Sequence, residues 1–176
     1  MRVDFIRRLC DSPVDSQLIR YAREAAQTML AEDAADAWQR SEAAADHAVS
    51  AVTLLGRPRG EMIVAAAWLH AIGESPAAKK TSFAPVDGAV RLLSDGWPAP
   101  VVSLVAHQAQ ARLVAPAYDA AQEIALFERI QGWPSDILDY AIVLGLDGTR
   151  TLDPEACVRL ASQQLPASLR ISARDR

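Results

Sequence analysis

The seven residues Ile63-Val64-Ala65-Ala66-Ala67-Trp68-Leu69 carry no polar side chain apart from the indole N–H, and this run constrains the fold more than any other feature. It lies between a sharp break, Gly56-Arg57-Pro58-Arg59-Gly60, and the turn His70-Ala71-Ile72-Gly73. Wound at helical spacing it has no solvent face, so a helix from Glu61 to His70 has to sit in the middle of a domain with other elements around it. The chain supplies those elements as further helices. Ala45, Ala48, Val49, Val52 and Leu55 recur at spacings of three and four, which predicts a helix from about Ala37 to Leu55 with one apolar face. Ser12-Pro13 followed by Asp15 offers a capping hydroxyl, a proline where no N–H is needed and an acid in the first turn, predicting a helix from Pro13 to about Leu30.

Downstream, PVDGAVRLLSDG reads as a short helix closed by Gly96. Pro98 to about Ala111, Tyr118 to Ile130 and Pro134 to about Leu144 read as further helices, and Asp153-Pro154 opens a last one to about Gln164. No window alternates apolar and polar residues with β-branched enrichment between turns, so strands are not expected. The fold class expected is all-α, an irregular bundle of about seven or eight helices forming one domain over the whole chain. Internal repeats and low-complexity segments are absent, and the tail over 166–176 is expected to fray.

A formal net charge of −4 and a pI near 5.3 leave no clustered basic face, which excludes nucleic acid as an expected partner. The adjacent Lys79 and Lys80 read as a solvated turn. The opening MRVDFIRRLC interrupts its apolar residues with charge, so it reads as neither a signal peptide nor an anchor, and no apolar run is long enough to span a bilayer. Cys10 and Cys157 are the only cysteines and neither sits in a CxxC pair, which reads as two free thiols in a reducing cytoplasm. GxSxG, P-loop, GxGxxG and HExxH motifs are all missing. Of the four tryptophans, Trp68 is expected in the core, while Trp97 and Trp133 each precede a proline at a helix start.

The chemistry has to come from three histidines, His47, His70 and His107. His70 ends the apolar helix in AAAWLHAIGES, and His107 lies in the apolar LVAHQAQ. With a tryptophan-led second helix, the segment FAPVDGAVRLLSDGWPAPVVSLVAHQ and the turn DYAIVLGLDG, these stretches resemble, in order and spacing, the HD-domain superfamily of metal-dependent phosphohydrolases, the compact bacterial members in particular. AAAWLHAIGES is similar to the family's "A-A-x-L-H-D-I-G", and DYAIVLGLDG to a "Y-A-D" turn followed by Asp-Gly. The resemblance covers Trp38 to Leu160.

It implies an all-α HD-like fold and an active centre in which a histidine, a His-Asp pair and a distant aspartate hold a divalent metal. That metal would polarise a phosphoryl oxygen and activate a water. At the positions that match, this sequence departs from the pattern. Arg40 stands for the first histidine, His70-Ala71 for the His-Asp pair, Ile142 for the final aspartate, His107-Gln108 for a double histidine and Ala84 for an accessory histidine. A permanently charged guanidinium beside a divalent cation costs free energy in a partly buried site, and losing two carboxylates removes the charge that would hold the metal.

The resemblance therefore implies a degenerate HD-domain protein with no metal and no cofactor, acting as a binding or regulatory protein rather than a phosphohydrolase. Two states of the old pocket stay open. In one it is filled: His70 and His107 are core residues, and Arg40 reaches the surface or pairs with an acid such as Asp87 or Glu74. In the other, Arg40, His70 and His107 bind a small phosphate or carboxylate, with Asp87 at a neighbouring helix N-terminus. A rearranged divalent-metal centre would have to draw on His47, His70, His107 and a nearby carboxylate. His47, two turns from Arg40, is displaced about 10 Å along the axis, and Asp139 and Asp147 flank Ile142. Metal-free acid–base catalysis by His70 or His107 is a further alternative. The partners expected are a small anionic ligand, a second copy of the chain or another protein.

Overall fold

The computed structural model describes residues 16–54 and 60–146, and every regular element in those segments is helical. We number the helices α1 (Gln17–Leu30), α2 (Ala35–Leu54), α3 (Glu61–Leu69), α4 (Ala84–Ser94), α5 (Ala99–Ala106), α6 (Ala111–Val114), α7 (Ala121–Ile124) and α8 (Trp133–Leu146). Single 3₁₀ turns lie at Ile72–Glu74, Gln108–Gln110 and Ala115–Tyr118. None of the helices among the described residues is long and apolar enough to cross a membrane.

The apolar run occupies the centre. All of Ile63 to Leu69 is buried, and α3 packs on α1, α2, α5 and α8, which is how a helix without a polar face removes its whole circumference from water. Around it the neighbours are small. Apart from His47, the buried positions of α2 are Ala37, Ser41, Ala44, Ala45, Ala48, Ala51 and Val52, so α8 can lie close along it. Gly145 sets that approach: a Cβ there would sit 3.0 Å from the Ala44 nitrogen and 3.2 Å from the Arg40 carbonyl oxygen. Trp38 on α2 and Trp68 on α3 stack with ring centroids 5.5 Å apart, and the Arg23 guanidinium of α1 covers the Trp68 ring at 5.6 Å, a cation–π contact that ties three helices together.

Helix ends depart from the sequence reading in specific ways. The first helix among the described residues begins at Gln17. Ser16 has an extended backbone, and its hydroxyl accepts the Ile19 N–H at 3.3 Å, so the cap is Ser16. The helix expected from Pro98 to Ala111 stops at Ala106, because Ala109 (φ 46°) and Gln110 (φ 59°) are both left-handed. Of the segment from Tyr118 to Ile130 only Ala121–Ile124 is α-helical, after a 3₁₀ turn that ends at Tyr118 and Asp119, which turns the chain at φ 54°. α3 ends at Leu69, with His70 as its cap. Ser12, Pro13, Asp15, Leu55, Asp147, both cysteines and the helix expected after Asp153-Pro154 lie outside the described residues.

One close approach fixes the turn after His70. A Cβ on Gly73 would lie 2.0 Å from the Ala84 carbonyl oxygen and 2.6 Å from the Gly88 nitrogen, so the turn packs backbone against backbone on α4, and only glycine fits. Beyond it Phe83, Val86, Ala111, Ala115, Ala120 and Ile124 form a second, smaller apolar cluster.

Candidate functional site

The stacked tryptophans also register the residues two places beyond them. Arg40 follows Trp38 and His70 follows Trp68, so the α2–α3 stack brings the ends of both side chains into one neighbourhood, where the Arg40 charge acts on His70. Arg40 is committed to an acid: its Nη2 donates to Glu74 Oε2 at 2.5 Å. Glu74 reaches Arg40 because the Ile72–Glu74 turn is held down on α4 through Gly73 and Gly88.

His70 is buried, and its Nδ1–H donates to the Ala67 carbonyl at 2.8 Å, which fixes the tautomer with the proton on Nδ1. Burial pushes its pKa down to about 4, with Arg40 adding to the depression while the Ala67 bond and Glu74 oppose it. The ring is therefore neutral at physiological pH. The backbone carbonyl of His70 is taken as well, accepting from Gln108 Nε2 at 2.6 Å. Ala71 is buried, and Ile142 lies in the core on the α8 face that carries Gly145. Ser41, next to Arg40, is fully buried, and its hydroxyl has no partner among the described residues.

His107 takes a different direction. Its Nε2–H donates to the Phe127 carbonyl at 3.0 Å, and its Nδ1 is buried without a partner. Asp87 is buried in the first turn of α4, where its carboxylate accepts the backbone N–H groups of Lys80 (3.1 Å) and Thr81 (2.9 Å). Its work is to close the loop leading into α4. His47 is buried on α2. The polar bonds of Arg40, His70, His107 and Asp87 thus go to separate partners rather than to one shared centre.

Three histidines and a carboxylate do not meet either. Among the described residues no group of three His, Cys, Asp or Glu side chains comes close enough to hold a metal ion. The donor set present, one arginine, one neutral histidine, an alanine and an isoleucine, does not fit a divalent cation. Asp139 is occupied by the left-handed turn: it accepts the Ala109 N–H at 2.6 Å. Partial burial raises its pKa to about 6, with Asp136 adding to the rise while the Ala109 bond and Arg129 counteract it.

Residues that the sequence reading did not single out surround His107. Arg112, Pro116, Ile124, Phe127 and Arg129 line with it a cavity of about 350 Å³. The two arginines are exposed side chains in segments of no regular pattern, and no signal in the sequence joins them. No family model, curated protein or solved structure matches the chain.

Proposed function

We propose that this chain is a binding or regulatory domain on an HD-like helical frame, in which the metal-binding positions have been closed by an ion pair and by apolar packing, and that it does not hydrolyse phosphate esters. The observation that carries this reading is the Arg40–Glu74 pair beside a buried, neutral His70. Arg40 occupies the position of a metal-ligating histidine with a cation of its own, and Glu74, the one acid at hand, is spent on neutralising it. Ala71 and Ile142 contribute methyl groups where carboxylates would be needed. The arrangement of the frame agrees with the reading: α2, α3 and α8, which carry Arg40, His70 and Ile142, pack directly on one another.

Nothing in this centre is set up to move a proton. A general acid or base works best with a pKa near the operating pH, whereas burial holds His70 at about 4 and its Nδ1–H is bonded to Ala67. The Gln108 amide instead braces the end of α3 against the turn after α5 by donating to the His70 carbonyl, while the His70 ring bonds back to Ala67 of its own helix.

The test is turnover. Full-length protein purified without chelator is assayed on p-nitrophenyl phosphate with added Mn²⁺, Fe²⁺, Ni²⁺ or Mg²⁺, beside His70→Gln. The expected result is no hydrolysis above that of the His70→Gln variant. Metal-dependent turnover that saturates with substrate and disappears in His70→Gln would restore the hydrolase reading.

A further inference from the structure

His107, Arg112 and Arg129 share the rim and wall of one cavity, about 350 Å³, whose remaining lining is Pro116, Ala121, Ile124, Ala125 and Phe127. No carboxylate lines it among the described residues. Glu123 and Glu128, two acids of the same stretch, line the adjoining groove over α4 and α5 instead, and Asp139, which feels the Arg129 charge, is already bonded to the Ala109 N–H. Neither arginine takes part in an ion pair among the described residues. The His107 ring is held in place by its Nε2–H bond to the Phe127 carbonyl, and its Nδ1 is buried without a partner among the described residues. In a chain of net charge −4 this is a local cluster of two fixed cations whose cavity has no anion in its lining among the described residues.

We propose that this cavity is a binding site for a small molecule that carries one oxyanion, a phosphate or a carboxylate, on a short apolar body. The two guanidiniums offer forked donors that match the oxygens of either group. Phe127, Ile124 and Pro116 supply an apolar wall for the body. The volume is at the lower end of what small-molecule sites enclose, which limits the ligand to about the size of one ring or a short acyl chain. The site lies apart from the Arg40–Glu74 pair and stands or falls independently of whether the domain is an enzyme.

Calorimetric titration of the full chain with phenyl phosphate, benzoate and benzyl alcohol, at low ionic strength, tests it. The expected result is saturable one-to-one binding of phenyl phosphate or benzoate with Kd below about 1 mM, and none of benzyl alcohol. Whichever anion binds identifies the head group. Arg112→Gln/Arg129→Gln should weaken that binding by about tenfold or more without lowering the melting temperature of the free protein, because both side chains are exposed and unpaired. Arg20→Gln, an exposed arginine on α1, serves as the charge control and should leave Kd unchanged. The proposal is overturned if neither anion binds, if the double variant binds as wild type does, or if Arg20→Gln weakens binding equally.

Discussion

One buried and one partly buried group with opposite displacements make the stability of this domain unusually informative between pH 4 and 6.5. The His70 pKa is about 4 in the folded chain against an ordinary 6.5. Below pH 6.5 the unfolded chain takes up a proton that the folded chain refuses, so stability falls on acidification, by about 3 kcal/mol once pH reaches 4. Asp139 acts the other way. Its pKa is about 6 against 3.8, so on raising the pH through this range the unfolded chain loses a proton that the folded chain keeps, and stability falls as pH rises. The full displacement corresponds to about 3 kcal/mol, and solvent screening of this partly exposed carboxyl brings it lower.

The two contributions nearly cancel in the wild type over about pH 4 to 6, and single substitutions should separate them. His70→Gln should lose the acid-side penalty, so that relative to wild type it gains about 3 kcal/mol on going from pH 6.5 to 4. Asp139→Asn keeps an oxygen for the Ala109 N–H and should lose stability relative to wild type over the same fall in pH. Urea unfolding followed by tryptophan fluorescence, at constant ionic strength and at intervals across this range, reads both differences. The remaining carboxylates contribute alike to all three proteins and drop out. A His70→Gln variant whose stability parallels wild type at every pH would refute the assignment of His70 as a buried neutral ring.

Three further outcomes follow from the geometry. Gly73→Ala should cost more than about 3 kcal/mol or prevent folding, since its Cβ collides with backbone that cannot yield, while Gly96→Ala, at φ 80° in open space, should cost about 1 kcal/mol; thermal unfolding distinguishes them. Ala109→Gly should stabilise by about 1 kcal/mol by relieving the left-handed strain. A double-mutant cycle on Arg40→Ala and Glu74→Gln should give a coupling of no more than about 1 kcal/mol, because both side chains keep solvent access, at 28% and 44% exposure.

The central helix was legible in the sequence because an apolar run without a polar face has only one place to go. The helix ends were harder to read where tertiary partners decide them. Nothing between His107 and Ala111 is a glycine or proline, yet the chain turns left-handed there because Asp139 and the His70 carbonyl hold Ala109 and Gln108 from distant parts of the chain. Asp87 was noted as a helix N-terminal acid, but its loop partners Lys80 and Thr81 carry no side-chain signal, since they bond through backbone N–H groups. Arg40 and Glu74 could be named as partners from sequence because both flank recognisable features, a tryptophan-led helix and a glycine turn. The gathering of His107, Arg112 and Arg129 could not, because it depends on short helices and turns whose course follows from left-handed residues at Ala109, Gln110 and Asp119.

The most direct measurement of the central claim is the metal content of the full-length protein, purified without chelator and desalted, by inductively coupled plasma mass spectrometry against protein concentration. An Arg40–Glu74 pair beside a neutral His70 leaves no room for a divalent ion between those side chains, and no cluster of metal-binding side chains forms elsewhere among the described residues, so Mn, Fe, Ni, Mg and Zn should each be present at far less than one per chain. A first-row metal or magnesium retained near one per chain, and lost on His70→Gln, would contradict the account.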